Sequence, residues 1–285
     1  EGNCLSHQVV LNEAKSDENQ LQLLNQWLKS YNFNELFDPE MGFGDYVKDI
    51  IPSDPALRMG QNKYAHGGGT VYKPLSLPDP KDYMEDATVP GTIGSSSMIR
   101  VGLYLEEVFR RNEDKKNFRF MSPDETYSNK LDRIFNATSR AWQWPVKEWD
   151  KDLSRDGRVM EMLSEHNMQG LMQGYVLTGG HAMFASYEAF VQVVASMMDQ
   201  YAKFLKHARE IEWRGDISSL NYILTSSGWR QDHNGFSHQN PGFVDELLRR
   251  EGQFVNVYFP PDGNSALVTT RTMKKKKKEI NAIIA

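Results

Sequence analysis

The sequence predicts an α/β protein: a mostly parallel open sheet with helices on both faces, preceded by an irregular amino-terminal arm. Three observations carry this. Short apolar runs at 117–121, 220–225, 254–259 and 280–285 are separated by stretches of helical spacing. From residue 220 onward the order is strand, helix, strand, helix, strand, the alternation of parallel strands joined by helical crossovers. Finally, the apolar run 220–225 is followed at once by a dense polar stretch, WRQDHNGFSHQ (229–239). The carboxyl end of a buried strand is where open α/β sheets hold ligands.

Along the chain, Leu21, Leu24, Trp27, Leu28 and Tyr31 recur at helical spacing, and Ser16 or Asp17 can cap a helix over 17–30. Prolines and glycines then break the pattern, so 1–90 reads as a linker arm with one amphipathic helix and 91–285 as the α/β domain. A helix is expected over 96–111 with Ile99, Leu103 and Val108 buried, then a strand at 117–121. SPDETYSNK (122–130) enters a short helix, and the Trp-rich segment 140–156 reads as a surface loop. A helix is expected over 164–177 and a long apolar helix over 181–209. After the strand at 220–225 and the polar loop come a helix at 242–250, a strand at 254–259, a helix at 264–276 and a last strand at 280–285. Five consecutive lysines, 274–278, sit at a helix carboxyl end, where positive charge suits the macrodipole, and read as a solvated surface.

Composition excludes several classes. The net charge of −5 gives no footprint for nucleic acid. No apolar run reaches the ~18 residues that a membrane span needs. Cys4 is the only cysteine, so no intrachain disulfide can form, and a reducing, cytoplasmic setting is expected. The sequon at Asn136 has meaning only in a secreted protein. The chain opens on Glu1, as a fragment or processed piece would.

The polar constellations admit more than one chemistry. His233 and His238, with Asp232, invite a metal, yet neither HExxH nor a Cys/His pair at zinc spacing is present. Gly-x-Ser-x-Gly and the signature phosphate loops are missing, and Gly67-Gly68-Gly69 lacks strand-to-helix context. Ser128 and Lys130, at an expected helix start, would suit a phosphate or simply cap and solvate that helix. Glu165 opens a helix, where a carboxylate is ordinarily stabilising. Phe184, Tyr187 and Phe190 fall at i, i+3 and i+6, either a core stripe or a pocket wall.

Taken together, SSLNYILTSSGWRQDHNGFSHQNPG, YFPPDGN, SPDETYSNK, SEHNMQG, YVLTGGH and SYEAF resemble the thiamine-diphosphate-dependent phosphoketolases, and the resemblance spans essentially the whole chain. Shorter motifs at 124–129, 165–168 and 237–239 are similar to those of transketolase. The resemblance implies a middle, pyrimidine-binding domain with its preceding linker. The Gly-Asp-Gly motif for magnesium and diphosphate is absent, so Mg2+ ligands are expected in another domain and none here. The isolated chain is expected to be inactive.

The implied reaction converts a ketose phosphate (xylulose 5-phosphate or fructose 6-phosphate) and inorganic phosphate into acetyl phosphate and a shortened aldose phosphate. Glu165 matches the glutamate that bonds the cofactor's pyrimidine nitrogen, a role that a raised carboxyl pKa serves. Tyr187, Phe190 and Phe184 would stack on the pyrimidine, and Asp124 would lie near the thiazolium. His233, with Ser128 and Lys130, matches the substrate-phosphate site. Lys130 stands where arginine is usual, which keeps the charge and loses the two-pronged grip. His238, aided by Gln231, would contact the reacting hydroxyls and give the proton in dehydration. Ser227-Gly228 also departs from the commoner His-Val. The site would be completed by the diphosphate-binding domain of another subunit, so a homodimer or larger assembly is expected. The alternatives are a transketolase-like ketol transfer to an aldehyde and a non-catalytic assembly domain of the same fold.

Overall fold

The computed structural model describes residues 10–40, 42–58, 60–64, 71–123, 126–212, 214–225, 235–250 and 252–285. Two compact units emerge, 1–58 and 59–285. In the first, α1 (Glu18–Lys29) starts where Asp17 accepts a hydrogen bond from the Asn19 amide at 2.8 Å. It is followed by α2 (Phe33–Leu36), an antiparallel pair of short strands, β1 (Phe37–Asp38) and β2 (Gly42–Phe43), and α3 (Asp45–Ile50). None of its described residues is buried.

In the second unit the elements are α4 (Ser97–Arg111), β3 (Phe118–Ser122), β4 (Arg140–Ala141), β5 (Leu153–Ser154), β6 (Val159–Glu161) and α5 (Glu165–Leu177). They continue as β7 (His181–Tyr187), α6 (Glu188–Val191), α7 (Ala195–Glu210), β8 (Leu220–Thr225), α8 (Gly242–Leu248), β9 (Val255–Tyr258), α9 (Gly263–Lys275) and β10 (Ile280–Ile284). The strands form one sheet in the order β5-β4-β6-β3-β7-β8-β10-β9, and every described pairing in it is parallel. Alternate residues feed two cores, as the two-residue repeat of a strand requires. Ala182, Phe184, Tyr222 and Leu224 pack with α5, α7 and α8, whereas Met183, Ala185 and Ile223 pack with α4 and α9. The predicted open sheet with helices on both faces is what the chain forms.

Several element expectations are corrected. The single helix expected over 181–209 is a strand followed by helices. All seven residues of β7 are buried, so both faces are apolar and no alternation marks the strand. The break was written in Gly179-Gly180: Gly179 has φ +97°, a conformation that suits glycine. The segment 140–156 is not all loop, since β4 and β5 extend the sheet. No α-helix opens after 122–130; a single 3-10 turn, Asp132–Asn136, stands there, without a side-chain cap. Ile99 is exposed rather than buried. The lysine run is only partly solvated: the Lys274 ammonium nitrogen is buried and donates to the Ala182 carbonyl at 2.9 Å.

Register is fixed by an amide ladder across three strands. Asn256 donates to Asn281 at 3.1 Å and Asn281 to Asn221 at 3.0 Å, each pair directly opposite in the pairing. A one-residue slip would turn these amides to the other face and leave buried polar groups unpaired. The stretch 71–78 is bound to the lower edge of the sheet. The Lys73 carbonyl accepts from Asn117 Nδ2 at 2.9 Å and from His181 Nε2 at 2.8 Å, while Ser76 exchanges two bonds with the buried Asn112.

Gly157 marks the tightest approach. A Cβ there would lie 2.3 Å from the Arg140 carbonyl, a backbone atom that cannot step aside. Gly157→Ala is therefore expected to destabilise the fold by about 1–3 kcal/mol or more, read as a lower midpoint in calorimetric unfolding of the full-length protein.

Candidate active site

Because the strands are parallel, β6, β3, β7 and β8 deliver their following segments to one edge. From β7 come Tyr187 and Phe190, and beyond β8 the chain returns to the same place through a 3-10 turn, Gly235–His238. The rings meet: His238 stands 4.9 Å from Tyr187 and 5.1 Å from Phe190, and Tyr187 lies 5.8 Å from Phe190, all edge-to-face. Such a group presents apolar walls with one imidazole among them. Ser237 Oγ lies 2.7 Å from His238 Nδ1.

Glu165 is the first residue of α5, behind a Ser164 cap, and is half-buried. β6, which leads to it, lies two strands from β7, or about 10 Å at ordinary strand spacing. It shares the edge with the ring cluster. Ser128 and Lys130 are exposed on the segment after β3. That segment is pinned on one flank by Thr225 Oγ1, which donates to the buried Asn129 Oδ1 at 2.5 Å, and on the other by Thr126 donating to Glu161. Arg140 backs the same segment: it bonds Glu161 at 2.9 Å and its guanidinium lies 4.2 Å from the Phe135 ring centre. Lys130 adopts φ +58°, a left-handed conformation that few non-glycine residues take.

Phe184 is placed apart from this group. It is fully buried in the core, edge-on to Tyr222 at 5.9 Å, because it belongs to a strand and not to a helix shared with Tyr187. Asp124, Gln231 and His233 lie outside the described residues. Among the described residues no cluster of three or more His, Cys, Asp or Glu is arranged to hold a metal ion. No helix there is long and apolar enough to cross a membrane.

One residue went unread in the sequence although it sits inside the motif SYEAF. Glu188 follows Tyr187, is buried, and its carboxyl accepts a hydrogen bond from the Asn240 backbone amide. Burial pushes its pKa up to about 7, with the Asn240 bond acting weakly the other way. Asn240 in turn accepts from the Gly242 amide at 2.8 Å, at the start of α8. Tyr187 and Glu188 thus hold the returning chain at two consecutive points, one by ring contact at His238 and one by hydrogen bond at Asn240. A carboxyl beside an aromatic run was the available signal, masked by the helix expected there.

The donor set fits the pyrimidine end of a thiamine diphosphate: edge-on aromatic walls, a half-buried carboxyl at the same edge, and an imidazole beside them.

The fold is shared with transketolases. The transketolase of Pichia stipitis solved with sedoheptulose 7-phosphate superposes with a TM-score of 0.53 at 13% identity, over 94% of this chain and 33% of that one. A mutant of the same enzyme with xylulose 5-phosphate gives 0.52 at 13% identity, with the same coverage. The family is narrower. Residues 99–275 match the model of D-xylulose 5-phosphate/D-fructose 6-phosphate phosphoketolase, and residues 1–70 that of its N-terminal domain. The chain is 44% identical to a probable phosphoketolase of Gloeobacter violaceus and 46% to one of Nitrosospira multiformis, each over 98% of its length. It is 43% identical over its full length to one of Bradyrhizobium diazoefficiens. The chain belongs to the phosphoketolase family. It spans about a third of the length of these relatives, 34–35%.

Glu188 makes a signed pH prediction. Its folded pKa lies above the ordinary 4.5, so the folded state holds this proton more tightly than the unfolded one. The stability it contributes is complete below about pH 4.5 and is lost as pH rises through about 7. In urea unfolding of the full-length protein, Glu188→Gln should match the parent near the acid end of that window. It should be relatively more stable above neutrality.

Proposed function

We propose that this chain supplies the pyrimidine-binding half of a cytoplasmic phosphoketolase. The full-length enzyme would cleave xylulose 5-phosphate, and fructose 6-phosphate as a second substrate, with inorganic phosphate to give acetyl phosphate and an aldose phosphate. The observation that carries this reading is the convergence of His238 with Tyr187 and Phe190 at the carboxyl ends of the strands, in a chain of this family. We also propose the division of labour within the chain: 1–90 as arm, including the 71–78 stretch bound to the sheet, and 91–285 as the pyrimidine-binding domain. The diphosphate, with Mg2+, falls to the diphosphate-binding domain of another subunit, which makes the enzyme a homodimer or larger.

When bound, thiamine diphosphate supplies the nucleophilic carbon that opens the ketose carbon–carbon bond. The protein's part is to hold, orient and protonate. Glu165 would share a proton with the pyrimidine nitrogen, and Tyr187 and Phe190 would wall that ring off from water, with Phe184 in the core. Asp124 would serve the thiazolium side, as the family motif implies. Ser128, Lys130 and His233 hold the substrate phosphate, the lysine as a point charge. With Nδ1 engaged by the Ser237 hydroxyl, His238 exchanges its proton with a substrate hydroxyl through Nε2, assisted by Gln231.

Two measurements on the full-length enzyme test the reading. Glu165→Gln should lower kcat for acetyl phosphate formation by about 10²–10⁴ while leaving the unfolding midpoint in place; undiminished turnover would point to a non-catalytic assembly domain. Sedoheptulose 7-phosphate formed in place of acetyl phosphate by the parent enzyme would assign ketol transfer instead. Lys130→Met should raise KM for the ketose phosphate by about ten- to a hundredfold with kcat little changed, the pattern of a lost binding charge.

A further inference from the structure

The five-lysine run plays no part in the chemistry above, and the structure gives its members different fates. Lys276 pairs with Glu279 at 3.0 Å, Lys277 with Asp216 at 2.7 Å, and Lys278 donates to the Arg214 carbonyl at 3.3 Å. Lys274 is spent on the Ala182 carbonyl. Lys275 has no ion pair among the described residues. Neither does Arg271, four residues earlier on the same face of α9, and its Nε is buried without a hydrogen-bond partner. Like charges at i and i+4 destabilise a helix, and a buried guanidinium nitrogen with no acceptor costs more than a solvated one. Both costs vanish if an anion lies between them.

The space for one is present. Arg271, Lys274, Lys275 and Lys277 line a groove of about 350 Å³ together with Tyr72 and the apolar side chains of the 74–77 stretch, with no carboxylate among the described lining residues. Its far wall is fixed rather than loose, because Lys73 and Ser76 are bonded to His181, Asn117 and Asn112 as described above. Tyr72 stacks on His181 at 5.1 Å, with the Lys277 ammonium 4.9 Å from its ring centre. The groove therefore opens at the amino-terminal edge of the sheet, where β7 begins. The catalytic edge is where β7 ends, about 20 Å away along seven residues of strand.

We propose that this groove is a binding site for a small organic phosphate. A guanidinium and an ammonium set one helical turn apart match phosphate oxygens better than a lone carboxylate, and the apolar floor accepts the carbon skeleton of an ester. The assignment stands apart from that of the catalytic edge.

The test uses the full-length, cofactor-loaded enzyme at constant ionic strength, titrated calorimetrically with glycerol 2-phosphate as the probe. At least one molecule per chain should bind in the parent, and one should still bind with parental affinity in Lys130→Met, which weakens the candidate substrate-phosphate position. Arg271→Gln/Lys275→Gln should weaken binding at least about tenfold while kcat stays at the parental value. Lys275→Glu, a reversal at an exposed position, should do the same and guards against misfolding of the double variant. Binding that survives both variants, or that is lost in Lys130→Met instead, overturns the proposal. So does a full-length structure in which a carboxylate from another part of the protein already bridges Arg271 and Lys275.

Discussion

Parallel pairing of β3 with β7 and of β7 with β8 is the constraint on which the remainder depends. Those two ladders put the ends of strands far apart in the sequence side by side, so that side chains from residues 126–130, 187–190 and 237–240 come to one edge. No local preference of these segments could do that. The hydrogen bond from Thr225 to Asn129 and the ring contacts of His238 are the stitches that close the edge once the strands are paired. Loss of either ladder would scatter the site while leaving each segment's own conformation possible.

Much of this architecture was legible in the sequence, and the exceptions have physical causes. Strands such as β8 and β10 are short apolar runs between turn residues, and their crossovers carry clear helical spacing. β7 hid because a strand buried on both faces has no period, and its alanines, methionine and phenylalanine favour helices as readily. That single misreading made Phe184, Tyr187 and Phe190 look like one stripe, whereas strand parity sends Phe184 into the core. β4, β5 and β6 are two or three residues long, too short for any pattern to register. The histidine and aromatic residues of the candidate site could be named from motifs, whereas Glu188, beside the aromatic run, was hidden by the helix expected there.

Glu188 and the ring cluster also show how a polar segment can be held firmly without a dense core of its own. The contacts at Tyr187 and at Glu188 fall on adjacent residues, one apolar and one polar, so sliding of the returning chain would break both together. Two unlike restraints at neighbouring positions define direction as well as distance for the His238 ring.

β10 follows β9 in the sequence yet lies inside the sheet, and among the described residues β9 is joined to the other strands through it. During synthesis on the ribosome, β8 must wait with one side uncovered until β10 has emerged. A nascent chain halted before Ile280 would carry two unsatisfied strands and an apolar helix seam, a form that chaperones would be expected to bind.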